Sequence, residues 1–239
     1  MTLKKLSIII PCYNEEKLIS AVLEKVLQVK LDYSLEKQII VVNDGSTDNS
    51  AIAINKFCEN NPTVISIHQQ TNSGKGAAVR AALQKVNGDI IIIQDADFEY
   101  DPLDYNRLLH PLIDGHADVV YGSRFRGGAA HRVLFFFHTI GNKFLTFLSN
   151  LFTGLNLTDM ETGYKMFKTD ILKQIRLKEN RFGFEPEVTA KTSRIKNIRF
   201  YEVGIAYYGR TYDDGKKIKW TDGIYAVWCI LKYNILSRK

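Results

Sequence analysis

The clearest fold signal in the sequence is a run of four isoleucines, Ile90–Ile93, with acidic residues beginning two positions after it. Consecutive β-branched apolar residues with polar neighbours on either side are typical of a strand buried on both faces. Asp95, Asp97 and Glu99 come next at a spacing of two, and alternate residues of an extended segment point the same way. The sequence therefore predicts three carboxylates that converge at the end of a buried strand.

These three acids predict a metal site. Like charges held close together repel unless a cation lies between them. Mg²⁺ takes one or two carboxylates and completes its shell with water and substrate phosphates. We therefore expect Asp95, Asp97 and Glu99 to hold a divalent cation. The alternative is a polar loop that caps the next helix, and Asp101, just before Pro102, is expected to be such a cap.

Apolar runs and helical apolar patterns alternate along the first half of the chain. The apolar runs predict strands at residues 6–10, 38–43, 64–68, 90–93 and 118–121. Patterns with helical spacing lie between them, for example over residues 18–27 and 77–86. This alternation predicts an α/β fold with a mainly parallel central sheet flanked by helices.

Polar segments lie directly after, or a few residues beyond, the ends of four of these strands, so they are expected to share one edge of the sheet. They lie at residues 11–15, 44–48, 74–76 and 95–99. Ligands of parallel α/β sheets bind at the carboxyl ends of the strands, and the convergence therefore predicts a binding site. The first turn lacks the G-x-G-x-x-G dinucleotide motif, and the glycine turn lacks Walker A spacing. The glycine turn at residues 74–76 has two equally good interpretations. Lys75 contacts a nucleotide there, or the turn simply starts a helix.

Composition narrows the class of partner. The net charge of +6 favours an anionic partner such as nucleic acid, acidic lipid or a phosphorylated substrate. Nucleic acid is disfavoured because the basic residues occur in expected phosphate-binding motifs rather than along a helix face. The three cysteines are scattered, which argues against a zinc site or a disulfide scaffold and favours the cytoplasm. No apolar run predicts a membrane-spanning helix or a signal peptide.

Three motifs in combination resemble glycosyltransferase family 2. They are residues 8–15 (IIIPCYNE), 41–48 (VVNDGSTD) and 95–97 (DAD). The resemblance extends from residue 6 to about residue 217, and it is greatest to the dolichyl-phosphate mannose synthases and their bacterial polyprenyl-phosphate relatives. It implies one GT-A domain over residues 1–239, with a nucleotide-binding half to about residue 122 and an acceptor half after it.

The resemblance also implies roles for individual residues. Contacts to the nucleotide sugar are implied for Pro11, Tyr13, Glu15, Asp44, Asp95, Ala96, Asp97, Arg124, Arg210 and Lys216, and Lys75 joins them as a candidate. Asp95 and Asp97 would form the DxD motif that holds Mg²⁺ or Mn²⁺ on the diphosphate. Glu99 stands where the mannose synthases usually have Gln, and this departure weakens the case for GDP-mannose as donor.

The acceptor half carries the remaining site candidates. Arg124 is expected at the acceptor phosphate, because a guanidinium offers a bidentate fork to phosphate oxygens, and a surface salt bridge is the alternative. Asp159 begins a segment that resembles the family's sugar-side motif. Glu185 matches the family's position for an acidic pair on a helix, and a structural role, such as pairing with a nearby arginine, is equally consistent with it. Arg210 and Lys216 match a loop that closes over the donor diphosphate, where they would neutralise the leaving group.

Two apolar stretches complete the chain. In residues 132–155 one helical face gathers large apolar side chains: Val133, Phe137, Ile140, Phe144, Phe147 and Leu151. Contact with a membrane surface and packing in the core or a dimer interface are both consistent with it. The second stretch, residues 220–235, has the same two interpretations, and the basic end at Arg238 and Lys239 would assist membrane attachment.

Together these features predict an inverting, metal-dependent transfer of a hexose from a GDP or UDP sugar to a polyprenyl phosphate. The catalytic candidates are Asp97, Arg124, Asp159, Arg210 and Lys216. The enzyme would act at the cytoplasmic face of a membrane, and the resemblance allows for a membrane partner protein. One alternative is transfer to a sugar hydroxyl, with Asp159 or Glu185 as general base. Another is a nucleotide-sugar binder without catalytic activity.

Overall fold

A twisted sheet forms the centre of the computed structural model, which describes residues 3–127, 132–133, 135–210 and 220–237. Within those residues the sheet has seven strands, in the order β3-β2-β1-β4-β6-β5-β7. The strands are β1 (Lys5–Cys12), β2 (Glu36–Asp44), β3 (Val64–Gln69), β4 (Ile90–Ile93), β5 (Val119–Ser123), β6 (Lys165–Lys168) and β7 (Phe200–Gly204). All neighbouring pairs are parallel except the two that β6 makes, which confirms the mainly parallel sheet.

Helices cover both faces of the sheet. They are α1 (Ile19–Gln28), α2 (Ser50–Asn60), α3 (Lys75–Leu83), α4 (Tyr105–Ile113), α5 (Phe136–Thr153), α6 (Thr169–Gln174), α7 (Phe184–Thr192) and α8 (Trp220–Leu231). One buried apolar cluster joins α1, α2 and α4 to the sheet, and a second joins α3 and α5 to α8. The four isoleucines of β4 lie between these clusters and are fully buried, as their sequence predicts.

Strand β6 was not predicted, and it determines where the site lies. Its four residues, KMFK, form neither an apolar run nor a long alternating pattern, so no sequence signal marks them as a strand. β6 runs antiparallel between β4 and β5, with Ile92 opposite Met166 and Tyr121 opposite Lys165. Its amino end therefore lies at the carboxyl ends of β4 and β5, and it brings the preceding segment, residues 159–164, to that edge.

The segments after β1 and β4 agree only in part with the sequence predictions. Asp101 does cap the following turn, because its Oδ1 accepts a hydrogen bond from the backbone N–H of Leu103 at 3.0 Å. The helix predicted from Pro102 begins instead as a short 3₁₀ helix, Pro102–Asp104, before α4. Pro11 was predicted to begin a turn, whereas β1 continues in register with β2 as far as Cys12.

One face of α5 is exposed over most of its length. Val133, just before the helix, is 90% exposed, Phe137 is 82% exposed, and Ile140, Phe144, Phe147 and Leu151 are exposed as well. The opposite face carries Leu145 and Leu148, which pack against the core. The expectation that this apolar face packs in the core is therefore wrong. No helix in the described parts of the chain is both long and apolar enough to cross a membrane.

Two helix glycines differ in the space around them, and this difference yields a test of the fold. A Cβ on Gly76, in the first turn of α3, would lie 2.2 Å from the backbone oxygen of Glu179, whereas a Cβ on Gly141 in α5 would meet nothing within 4 Å. Gly76→Ala should lower the free energy of unfolding by about 1–3 kcal/mol through overpacking. Gly141→Ala should raise it by up to about 1 kcal/mol through helix propensity. Urea denaturation measures both, and equal effects would contradict the packing of α3 against Glu179.

Candidate active site

One part of the candidate site lies at the carboxyl ends of β1 and β2. Both carboxylate oxygens of Asp44 accept backbone hydrogen bonds, from Ser73 N at 2.9 Å and from Gly74 N at 2.7 Å. Gly74 has φ of +97°, a conformation that favours glycine, so Asp44 holds a tight turn at the start of α3. Tyr13 and Glu15 follow β1 at the same edge. The structure thus brings these predicted residues together and gives Asp44 a structural task as well.

Lys75 links this part of the site to the segment after β4, residues 95–100, here called the acidic loop. Its Nζ lies 2.8 Å from Asp95 Oδ1 and 3.1 Å from Glu185 Oε1, and all three side chains are largely buried. Burial alone would favour the neutral amine, yet the carboxylates of Asp95 and Glu185 raise the pKa of Lys75 above its usual value. Lys75 is therefore a cation, and Glu185 on α7 acts as its second partner. The sequence does not show that α3 and α7 meet here.

The buried side chain of Gln94 attaches the acidic loop to the core. Gln94 Oε1 accepts hydrogen bonds from the hydroxyls of Tyr105 at 2.8 Å and Tyr164 at 2.5 Å. Its Nε2 donates to the backbone oxygens of Asp95 at 3.0 Å and Tyr100 at 3.4 Å. Both ends of the loop are thereby attached to the core. No sequence motif indicated this role for Gln94.

The three acids of the loop have different surroundings. Asp95 contacts Lys75, whereas Glu99 accepts hydrogen bonds from the hydroxyl of Tyr207 and from the backbone N–H of Arg210, at 2.9 and 2.8 Å. Burial, together with the charges of Asp95 and Glu99, raises the pKa of Asp97 to about 7. Ala96, between the two aspartates, is buried in the core.

The predicted convergence of three carboxylates on one point is not seen. Among the described residues, no group of three or more His, Cys, Asp or Glu side chains is arranged as metal ligands. Mg²⁺ needs only one or two carboxylates when substrate phosphates supply further oxygens. The crowded carboxylate of Asp97, beside that of Asp95, meets this requirement, so the residues present fit a divalent cation.

Arg210 approaches the acidic loop from the other side. Its guanidinium binds Glu15 through two contacts, Nη1 to Oε1 at 3.2 Å and Nη2 to Oε2 at 2.9 Å. Its Nε donates to the backbone oxygen of Asp97 at 3.2 Å. These contacts bring Arg210, which follows β7, to the end of β1. Lys216 lies outside the described residues, and its role stays a prediction.

Arg124 and Asp159 form a buried ion pair just beyond β5. Arg124 Nε lies 2.7 Å from Asp159 Oδ2 and Nη2 lies 2.7 Å from Oδ1, which is a bidentate geometry. Asp159 has no exposed surface, so the surface salt bridge expected as an alternative is instead a buried one. The guanidinium also lies 5.3 Å from the centre of the Tyr207 ring.

Tyr207 connects the two arginines. Its hydroxyl donates to Glu99, which holds Arg210, and its ring faces Arg124. Tyr207 also forms an isolated bridge with Tyr100 at the end of the acidic loop. Sequence reasoning missed this residue, because a lone tyrosine after a strand carries no motif. Carboxylates and cationic side chains therefore alternate along this edge of the sheet.

Comparison with known proteins assigns this chain to a family. Residues 7–176 match the family model for glycosyl transferase family 2. The chain is 31% identical over 90% of its length to undecaprenyl-phosphate 4-deoxy-4-formamido-L-arabinose transferase of Photorhabdus laumondii, of which it spans 63%. It is 30% identical over 80% of its length to UDP-N-acetylglucosamine–dolichyl-phosphate N-acetylglucosaminyltransferase of Methanococcus voltae, of which it spans 82%.

Solved structures show the same fold. Glucosyl-3-phosphoglycerate synthase of Mycobacterium tuberculosis, crystallised with Mn²⁺ and UDP-glucose, superposes with a TM-score of 0.73. The match covers 97% of this chain and 79% of that one, at 19% sequence identity. At this level of identity the likeness shows the fold alone, and it confirms the GT-A architecture expected from the sequence.

Proposed function

The chain belongs to glycosyl transferase family 2, and we propose that it transfers a hexose, with inversion, from a nucleotide diphosphate sugar to a polyprenyl phosphate. Both curated relatives are named for transfer to a polyprenyl phosphate, undecaprenyl in one and dolichyl in the other, which supports this acceptor. The donor is a GDP- or UDP-hexose. The whole chain acts as one catalytic domain, with its nucleotide half before about residue 122 and its acceptor half after it.

One observation carries the proposal: two guanidinium groups flank the acidic loop, one joined to it directly and the other through Tyr207. Arg210 binds the backbone of Asp97, and Arg124 lies against Tyr207, whose hydroxyl binds Glu99. A reaction that moves a sugar between two phosphates needs a cationic group for each. We assign Arg210, with Lys216, to the leaving diphosphate and Arg124 to the acceptor phosphate.

The pairing of the carboxylates favours a phosphate acceptor over a sugar hydroxyl. A hydroxyl acceptor needs a free carboxylate as general base. Both candidates for that role are engaged, since Asp159 is bound bidentately by Arg124 and Glu185 contacts Lys75. A phosphate monoester is already anionic at neutral pH, so it needs position and charge neutralisation rather than a base.

Asp95 and Asp97 are the residues that would hold the divalent cation, Mg²⁺ or Mn²⁺, with Glu99 beside them. When bound, such a cation supplies Lewis-acid stabilisation of the leaving diphosphate. Lys75 Nζ lies 2.8 Å from Asp95 Oδ1 and limits the directions in which that carboxylate can turn. Pro11, Tyr13, Glu15 and Asp44 line the end of the sheet where the nucleoside would lie.

The exposed apolar face of α5 suits attachment to a membrane. A polyprenyl phosphate presents its phosphate at the bilayer surface, so the enzyme must reach that surface. Large apolar side chains on α5 are exposed, and α8, which packs against α5, adds exposed Ile224 and Trp228. We assign this face to the cytoplasmic leaflet, where a chain with net charge +6 is attracted by anionic lipid.

The direct test is a panel of nucleotide sugars. The protein is incubated with Mn²⁺, undecaprenyl or dolichyl phosphate and, in turn, UDP-glucose, UDP-galactose, UDP-N-acetylglucosamine or GDP-mannose. We expect sugar label to enter the organic phase with at least one donor, and only when the lipid phosphate is present. Label transferred to water-soluble glycans instead would support the hydroxyl acceptor. Binding of a nucleotide sugar without any transfer would support the non-catalytic alternative.

Asp97→Asn tests the metal assignment. The change keeps the shape of the side chain but removes a charged ligand, so activity should fall by at least about a hundredfold. EDTA should reduce the wild-type rate similarly, and added Mn²⁺ should restore it. Asp114→Asn, on an exposed residue after α4, is the matched control. Full activity of EDTA-treated wild type would contradict the assignment.

Arg124→Ala tests the acceptor site. It should raise KM for the lipid phosphate at least about tenfold while the dissociation constant of the nucleotide sugar stays nearly unchanged. Arg124→Lys should restore activity only in part, because the fork geometry is lost. Arg199→Ala is the control, since Arg199 makes a similar bidentate pair with Asp118 at the opposite end of β5. Equal loss of donor affinity would assign Arg124 to the donor instead.

Phe136→Ser with Phe137→Ser tests the membrane face. Both side chains are exposed, so the double variant should fold normally but bind anionic vesicles at least about tenfold more weakly. Wild-type binding should increase with anionic lipid and decrease with salt. The control, Ile52→Ser with Leu103→Ser, removes two exposed apolar side chains elsewhere. A stable Phe136/Phe137 variant with normal vesicle binding would exclude this face as the anchor.

A further inference from the structure

We propose that Glu161 is a specificity-determining residue, whose carboxyl group binds a hydroxyl of the transferred sugar. The inference rests on the proposed function, because it names a contact within the same site. Glu161 is part of the segment that precedes β6, and none of the roles derived above uses it.

The topology puts this segment between the two phosphate regions. Gly163 contacts the acidic loop on one side, since a Cβ on it would lie 2.2 Å from Asp95 Oδ2 and its N–H donates to the hydroxyl of Tyr100. On the other side, Asp159 binds Arg124. Glu161 lies between these two contacts in the chain. In a transfer reaction the sugar must pass between the leaving diphosphate and the acceptor phosphate, and this segment therefore borders its path.

The carboxyl group of Glu161 has an unused hydrogen-bonding atom. Its Oε1 is buried and has no hydrogen-bond partner among the described residues. The nearby Lys165 donates to the backbone oxygens of Met160 and Thr162. Buried polar atoms without partners are rare, and those in native structures commonly belong to a functional site. The residue as a whole is partly exposed, and its terminal torsion rotates easily, so either oxygen can reach a ligand.

The charge state of this group suits a hydroxyl rather than a phosphate. Burial and the charge of Glu185 raise the pKa of Glu161 to about 8, although Lys165 and Arg124 act in the opposite direction and Asp159 adds to the rise. A protonated carboxyl group both donates and accepts hydrogen bonds, as a sugar hydroxyl does. A phosphate only accepts, and a charged carboxylate would repel it. The carboxyl of Glu161 thus matches the neutral, hydroxyl-bearing part of the substrate.

Paired changes in protein and donor test the inference. The donor is the most active nucleotide sugar of the panel above, together with its analogues that each lack one sugar hydroxyl. In wild type, one analogue should lose about tenfold to a hundredfold in kcat/KM. Glu161→Ala should show the same loss with the complete donor and no further loss with that analogue. Glu161→Gln, which keeps a donor and an acceptor, should retain most of the activity.

Two controls separate a sugar contact from a general defect. The inhibition constant of the free nucleoside diphosphate, which lacks the sugar, should be the same in wild type and in both Glu161 variants. Glu36→Gln, at the amino end of β2 and far from the site, should behave as wild type with every donor. Thermal unfolding of the isosteric Glu161→Gln shows whether the fold is retained.

The possible failures are distinguishable. If Glu161→Ala responds to every deoxy analogue as wild type does, the inference is overturned while the proposed function stands. Equal weakening of the nucleoside diphosphate would also overturn it, since the residue would then act on the diphosphate. If wild type transfers no sugar from any donor, the proposed function itself fails and the inference fails with it.

Discussion

The acidic loop after β4 depends on the hydrogen bonds of one buried amide. Gln94 uses both its acceptor and its donor groups, and it ties the loop to tyrosines from α4 and from the segment before β6. A buried amide left partly unpaired would cost about 1–3 kcal/mol, so these partners select one conformation of the loop. Because the same tyrosines belong to separate parts of the chain, the position of the acids depends on the assembled core.

The cationic side chains of the site are held in ion pairs. Arg124 binds Asp159, Arg210 binds Glu15, and Lys75 lies between Asp95 and Glu185. A buried cation without a partner is strongly unfavourable, so the carboxylates keep these groups charged and oriented before a substrate arrives. Phosphate oxygens have the same geometry and charge as carboxylate oxygens toward a guanidinium. In the proposed reaction, substrate phosphates would therefore bind cations that are already charged and oriented.

Prediction from the sequence succeeded where a local pattern carries the information. The isoleucine run gave β4, alternating apolar segments gave the α/β class, and the cap at Asp101 was recognised from its neighbour Pro102. Prediction failed at β6, whose four residues have no distinctive pattern. It also failed for Gln94, since nothing in its neighbourhood distinguishes a buried supporting amide from any polar residue at a strand end.

The sequence predicted strands β1 to β5 and the motif residues at their ends, because apolar periodicity and motif spacing are properties of nearby residues. It also identified the apolar face of α5, although not whether that face is exposed. The pairing of charges depends on the folded chain, since Lys75 and Glu185, or Glu15 and Arg210, are far apart in the sequence. The insertion of β6 decided which segment lies beside the acids, because strand order depends on packing of the whole sheet.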